Sequence, residues 1–303
     1  MNIGVVVVTY NRLEKLKIAL KSYDEQTYSP KYLIDVNNNS NDGTEEYLDK
    51  WEKEKSKFKK IVINLDKNTG GSGGFYEGLK KSLDMNAEFV WVADDDAYPY
   101  KDAFEKANEK YQKYDLKDVS AICGQVITDG KIDLEHRRYT EKTFLKIRQI
   151  PVSLDKYNDE SFELDQFSYV GTLLNVKKMK EVGLTNKDYF IYFDDTEHSL
   201  RMSRVGKIIC YPEIKVNHDT PLNTDTSFNW KSYYGIRNKL YSFKKIYPKR
   251  YYMCIYYKTM LNCKMKKISK NKEVNKLIKT ALKDAKRGKL GLHEIYKPGW
   301  KIN

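Results

Sequence analysis

Three consecutive carboxylates, Asp94, Asp95 and Asp96, follow the apolar run Phe89-Val90-Trp91-Val92-Ala93 without a spacer. A short continuous apolar run suits a strand buried on both faces. Alternation along it predicts that Asp94 and Asp96 point one way and Asp95 the other. Like charges so close raise one another's pKa unless a cation offsets them, and a hard divalent ion with oxygen ligands would do so; the plain alternative is acidic decoration of a loop. A second acid pair, Asp194-Asp195, ends the aromatic run Tyr189-Phe190-Ile191-Tyr192-Phe193. A desolvated carboxylate there is suited to take a proton from a hydroxyl, although Asp194 or Thr196 would equally cap the helix expected next. His218 stands at the end of a strand, where a lone histidine is more often structural unless it meets the acids. The glycine-rich stretch 68–74 lacks the Walker lysine, and Tyr76 stands where a third dinucleotide-fold glycine belongs. It offers instead a helix N-terminus whose backbone N–H groups receive a phosphate or a sugar hydroxyl.

The elements that must position these residues are legible from periodicity. Residues 3–9 form a β-branched strand, and Asn11 is expected to cap a helix with Leu13, Leu16, Ala19, Leu20 and Tyr23 on one face. Strands follow at 32–36, 60–65 and 89–93, separated by a helix carrying Tyr47, Leu48 and Trp51 behind Asp42, and by one carrying Leu79 and Leu83. Strands alternating with helices, each strand leading into a polar loop, predict an α/β fold with a mostly parallel sheet and ligands beyond the strands' carboxyl ends. Further strands are expected at 119–127, 167–176, 188–195, 207–211 and 214–218, with a helix at 197–205. Residues 129–150, polar and basic, read as an insertion or mobile loop. Beyond Trp230 the pattern is helical, near 230–246, 249–265 and 271–287.

With 303 residues, 40% of them hydrophobic, the chain can bury a large core and is not of disordered composition. Cys123, Cys210, Cys254 and Cys263 are widely spaced and form no CxxC pair, so neither a zinc ribbon nor a disulfide framework is indicated, and a reducing, cytoplasmic setting fits. The opening strand does not read as a signal peptide, and no uncharged run reaches the ~18 apolar residues of a spanning helix. Residues 244–303 hold 18 Lys and Arg against three acids, whereas the whole chain is +13, so the first 243 residues are close to neutral.

Taken together, VVVVTYNR at 5–12, NNSNDGT at 38–44, the 94–96 triplet and FDDTE at 193–197 resemble the inverting family 2 glycosyltransferases of GT-A fold. NTGGSGGF ahead of DDDA, and a histidine some twenty residues after FDDTE, most resemble the bacterial galactofuranosyltransferases and their rhamnosyltransferase relatives. The resemblance covers roughly residues 1–240. It implies that Thr9, Tyr10, Arg12, Asn37 and Asn38 hold the nucleotide. Asp66, Gly70, Gly71, Ser72, Gly73, Asp95 and Arg237 would complete the donor site, with Gly74, Phe75 and Trp230 toward the acceptor. Asp94, Asp96 and His218 would bind Mn2+ or Mg2+, and Asp195, with Asp194 beside it, would be the catalytic base. Asn37 departs from the aspartate common in the family, so contact with the base would be neutral or fall to Asp35 or Asp66. Arg237, in a YYxxRN block, is expected on a phosphate of the donor or of a lipid-linked acceptor, or else as an exposed residue of a helix start.

The expected activity is transfer of galactofuranose from UDP-galactofuranose to a cell-surface glycan, with dTDP-rhamnose as the alternative donor. A noncatalytic sugar-binding or scaffold protein is the reading from another class; a full set of acids with His218 speaks against it. Residues 1–240 are expected to be the transferase and 241–303 a basic helical extension. That extension suits an anionic membrane surface at the inner face of the plasma membrane, or is simply solvated; no nucleic-acid motif accompanies it.

Overall fold

The structure, a computed structural model, describes residues 1–114, 116–221 and 227–302. Its first half alternates as expected: β1 (Ile3–Thr9), α1 (Leu13–Asp24), β2 (Tyr32–Asn37), α2 (Thr44–Trp51), β3 (Lys59–Asn64), α3 (Gly70–Ser82) and β4 (Phe89–Asp94). These four strands lie parallel in the order β3-β2-β1-β4. Thr172–Asn175 then enters antiparallel beside β4, followed by Val119–Thr128, Lys207–His218 and Phe162–Leu164, which makes the sheet mixed.

Both faces of the sheet are covered. Val5 and Val7 pack with Leu16, Leu20, Trp91 and Phe104, while Val6 and Val8 pack with Leu79 and Phe75. Each such side chain contributes about 1.5–3 kcal/mol on burial, which explains why β1 carries no polar residue before Thr9. Helix α3 lies close on β1 because Gly74 and Gly78 face it: an added Cβ would stand 2.5 Å from Val8 Cγ1 and 2.4 Å from Val6 Cγ1.

Several local expectations are corrected. Residues 188–195 are not a strand. Lys187–Tyr189 form a 3-10 turn, Phe190, Tyr192 and Phe193 take positive φ, and a helix starts at Asp194. The aromatic side chains there face the C-terminal helices, so their pattern reports packing and not extension. The two strands expected at 207–218 are one, with a register irregularity between Cys210 and Lys215. The expected strand 167–176 is split into Gln166–Phe167 and Thr172–Asn175. Asn11 does not cap α1; it has φ 52°, and the Leu13 N–H donates to Asp42 across the gap at 3.0 Å. Helix α3 begins at Gly70, so Gly70–Gly74 are already its first turns and the N-terminus expected of the stretch lies at Thr69-Gly70.

Residues 129–150 are ordered. Arg137–Lys142 pairs with Ile147–Pro151 and with Gln166–Phe167 in a second small sheet. Its anchor is Arg137, which is fully buried and donates to the carbonyls of Gly124, His136, Val170 and Gly171.

Three helices close the chain, Trp230–Ile246, Lys249–Lys264 and Lys272–Arg287. The last is capped by Asn271 Oδ1, which accepts from Glu273 N at 2.7 Å. Their core holds Tyr233, Tyr234, Leu240, Leu277 and Ile278, and also Phe190 from the turn before Asp194. Among the described residues, no helix is long and apolar enough to cross a membrane.

Candidate functional site

Parallel register brings the polar strand ends together, since Thr9 pairs with Asn37, Asn37 with Asn64, and Val8 with Asp94. β4 ends at Asp94, and Asp95-Asp96 turn away from the extended path. Strand alternation therefore stops one residue before it would place Asp96. Asp95 is buried and accepts from Thr9 Oγ1 at 2.8 Å, from Tyr10 N at 3.4 Å and from Arg12 at 3.2 Å. Arg12 also reaches Asp96 Oδ2 at 2.5 Å. Burial pushes Asp95 up to about 6, with Arg12 and Thr9 opposing. Asp94 is pushed well above the usual range by burial and then by Asp96 and Asp95. The cluster wants positive charge, and Arg12 is the cation that meets two of its three members.

His218 reaches the triplet by pairing. The end of Lys207–His218 runs antiparallel to Ala97–Pro99, with His218 opposite Ala97, and the Asp219 N–H donates to the Asp96 carbonyl at 2.8 Å. His218 Nε2 lies 3.7 Å from Asp96 Oδ1. Its Nδ1 is buried without a hydrogen-bond partner among the described residues. Burial and then neighbouring His136 lower its pKa, leaving a neutral imidazole with a free lone pair. The 3-10 turn Leu134–His136, which leads into the small second sheet, adds residues that the sequence pattern did not indicate. The His136 and His218 rings meet edge to face at 5.1 Å between centroids. His136 Nδ1 bonds Ser168 Oγ at 2.7 Å, and its Nε2 lies 3.3 Å from Asp133. Asp133, His136 and His218 each present a ligand atom within 4.8 Å of the others. A divalent cation fits the chemistry of these donors: carboxylates short of positive charge, and one carboxylate with two imidazoles, from Asp133, His136 and His218, within reach of one another.

The second acid pair occupies the first turn of the helix Asp194–Met202. Asp194 is pushed up to about 8 by burial and then by its neighbour Asp195. Asp195, less enclosed, is raised by burial, while the N–H and hydroxyl of Thr196 and then Arg138 and His136 oppose the rise. The hairpin thus faces both the triplet and this pair, and a carboxylate raised in this way is a better proton acceptor at neutral pH. The turn before it is strained, with Phe190, Tyr192 and Phe193 at φ 67°, 66° and 71°. Such residues cost about 1–3 kcal/mol each and persist only where surrounding contacts hold them.

The nucleotide-side residues are placed as follows. Asn37 donates to Asn64 Oδ1 at 2.9 Å and accepts from Ser40 N at 3.0 Å. Asn38 donates to the Gly70 carbonyl at 2.9 Å and accepts from Thr69 N at 2.8 Å, so it pins the start of α3. Tyr10 and Asp66 are exposed at the same edge. Asp35, the other carboxylate considered for the base, is fully buried in the sheet core with both oxygens unpartnered among the described residues; it is not available to a nucleotide.

The glycines divide by neighbour. Gly70 has φ 74° and presses on the Phe190 carbonyl, with only 1.9 Å available to a Cβ, whereas a Cβ at Gly71 meets nothing within 4 Å. Gly73 backs onto Thr69, and Gly74 onto Val8. Ser72 is buried, and its hydroxyl lies by Asp194, where it opposes the rise of that carboxyl. Phe75 is in the core against Tyr169, at 4.7 Å between ring centroids. Gly74 and Phe75 therefore support β1 and do not open toward an acceptor. Trp230 is half-buried against Phe190 and Tyr234.

Arg237 is not at the site. The residue is 1% exposed, and its guanidinium lies against the rings of Tyr233 and Tyr234 and donates to the carbonyls of Tyr189 and Gly291. It has no surface from which to reach a phosphate. Lys231, nearly two turns earlier on the same helix, is the cation on the site's side: burial and then Arg12 lower its pKa. Only the helix's rotation distinguishes the two.

Residues 4–170 match the model for glycosyl transferase family 2. The galactofuranosyltransferase GlfT1 of Mycolicibacterium smegmatis is 35% identical over 94 residues, 31% of this chain and 30% of that protein. GlfT1 of Mycobacterium tuberculosis is 26% identical over 207 residues, 68% of this chain and 66% of that protein. The chain thus matches less than two thirds of the length of either. Among solved structures, GalNAc-T7 with UDP, GalNAc and Mn2+ superposes with a TM-score of 0.65 at 13% identity, over 95% of this chain and 56% of that one. At that identity the likeness shows the GT-A fold alone.

Proposed function

The chain belongs to glycosyl transferase family 2, and on that premise we propose that it transfers galactofuranose from UDP-galactofuranose to a glycan hydroxyl with inversion. The observation that carries this reading is the meeting of two acid groups at one sheet edge. One is the cation-seeking triplet with His218, the other the raised pair Asp194-Asp195, and the 133–138 segment faces both.

The acceptor oxygen attacks the anomeric carbon, the bond from that carbon to the diphosphate oxygen breaks, and the hydroxyl proton passes to Asp195. A single displacement inverts the centre and needs no covalent nucleophile. Asp94, Asp96 and His218 would hold Mn2+ or Mg2+, with Asp133 and His136 the adjoining donors; when bound, the cation offsets charge gathering on the leaving diphosphate. Thr9 and Arg12 hold Asp95, and through it the triplet, in place. Tyr10 and Asp66 border the nucleotide, Asn37 and Asn38 support that edge from beneath through their bonds to Ser40 and Gly70, and Gly71 leaves room for the sugar to approach backbone. Galactofuranose is preferred over rhamnose from dTDP-rhamnose because the named relatives are galactofuranosyltransferases.

Thermal stability and slow hydrolysis, measured with Mn2+ across UDP-galactofuranose, UDP-galactose, UDP-glucose and dTDP-rhamnose, test the donor. The largest stabilisation and the fastest hydrolysis are expected with UDP-galactofuranose. A response to dTDP-rhamnose alone would replace that assignment.

The reading places the protein on a membrane that carries a lipid-linked acceptor. In support, Tyr257, Leu261 and Met265 form an exposed stripe at four-residue spacing on Lys249–Lys264 and its C-cap, flanked by Lys258, Lys264, Lys266 and Lys267. That combination suits an anionic interface. Sedimentation with phosphatidylglycerol vesicles is expected at low salt and reduced at high salt; no binding at low salt removes the membrane from the proposal.

A further inference from the structure

The strained turn that presents Asp194-Asp195 has its carbonyls accounted for one by one. Asn238 is fully buried on the helix Trp230–Ile246, and its Nδ2 lies 3.0 Å from the Tyr189 carbonyl, 2.9 Å from that of Ile191 and 2.9 Å from that of Tyr192. Arg237 donates from Nη2 to the Tyr189 carbonyl at 2.9 Å and from Nε to Asn238 Oδ1 at 2.8 Å, which orients the amide. The remaining carbonyl, Phe190, accepts from Ser72 N at 3.2 Å and is the one against which Gly70 presses. Two buried side chains and the start of α3 therefore hold a backbone that its own residues disfavour.

We infer that Arg237 and Asn238 are positioning residues: they lock the 189–193 turn, and through it set where Asp194-Asp195 and the start of α3 stand relative to each other. The same lock explains why the C-terminal helices share a core with Phe190. Arg237 also donates to the Gly291 carbonyl at 2.7 Å, and Gly291 N donates to the Asp188 carbonyl at 2.6 Å, so the segment after the last helix closes the lock from the other side. The helical extension is in this sense part of the catalytic apparatus, although neither residue touches substrate. The inference rests on the reading of the acid pair as the source of the base.

In the full chain, Asn238→Ala is expected to speed amide exchange at 189–196 while β1 and β4 keep their protection. UDP release from UDP-galactofuranose should fall about 100-fold in kcat, the cost of an ångström-scale misplacement, while calorimetric affinity for UDP stays within about threefold. Arg237→Lys, which keeps a cation but loses the fork, should give the same pattern more weakly, and it carries the test should Asn238→Ala not fold. Unchanged exchange at 189–196, or wild-type kcat in a folded variant, overturns the inference. Adding Asn238→Ala to Asp195→Asn should cost little more than Asp195→Asn alone; additive losses would likewise overturn it. Failure of the functional reading looks different. The wild type would not consume UDP-galactofuranose, or Asp195→Asn would stay active, while the exchange response at 189–196 would persist.

Discussion

Asp195→Asn is expected to abolish transfer while leaving donor binding nearly intact. The substitution keeps the shape of the side chain, and the amide oxygen still accepts from Thr196, whose N–H and hydroxyl hold the carboxylate at 2.5 Å and 3.2 Å. What disappears is the basic lone pair. General-base catalysis is worth about 10²–10⁴-fold, so kcat should fall by about three orders of magnitude with UDP affinity unchanged by calorimetry. Near wild-type transfer in Asp195→Asn would dismiss Asp195 as the base. The wild-type pH profile should carry the same signature. Only the ionised carboxylate accepts a proton, and burial raises both Asp195 and Asp194 above the ordinary aspartate value. Activity should therefore be lost as pH falls through a point above the ordinary aspartate value, and that acid limb should be missing from the residual activity of Asp195→Asn. A limb at the ordinary value would mean that the base is a different, exposed carboxylate.

Chelation is the second large effect. Asp94, Asp95 and Asp96 crowd one strand end, and Asp94 and Asp95 are already raised by burial, with the negative neighbours adding to it. A nucleotide diphosphate adds further negative charge. At an effective dielectric of about 20, each like-charge pair 4 Å apart costs about 4 kcal/mol, more than Arg12 alone offsets while it spans Asp95 and Asp96. EDTA-treated protein is expected to lose at least about 99% of its transfer activity, since a 100-fold loss needs only about 2.7 kcal/mol, less than one such pair costs. Mn2+ or Mg2+ should restore it, with Mn2+ the better because an imidazole joins the oxygen donors. Full activity in EDTA would remove the cation from the mechanism.

The placement of Arg237 and Lys231 shows where local pattern stops being informative. Both lie on a helix whose boundaries, 230–246, agree with its periodicity. Yet a residue's partner depends on which face of the helix meets the rest of the protein, and a stripe with aromatics on several sides does not specify that face. His136 and Arg138 pose the same difficulty in another form. Their segment is polar because it forms a small sheet at the rim of the site, and polarity alone reads as a loop. The run 188–195 differs for the opposite reason: aromatic content mimics a strand when Phe190 is in fact anchored in a separate helical core and Tyr192 is exposed.

The sequence by itself determined the four parallel strands, the helices between them and the position of each acid at a strand or turn end. Those features depend on side-chain periodicity and on residues adjacent in the chain. Only the tertiary structure decided that Asp95 and Asp96 share Arg12, that His136 meets His218, and that Asn238 holds the turn bearing Asp194-Asp195. Each of these joins residues some 45 to 85 positions apart. Contacts at that range leave no period in the chain, because they are set by how whole elements dock once the core excludes water.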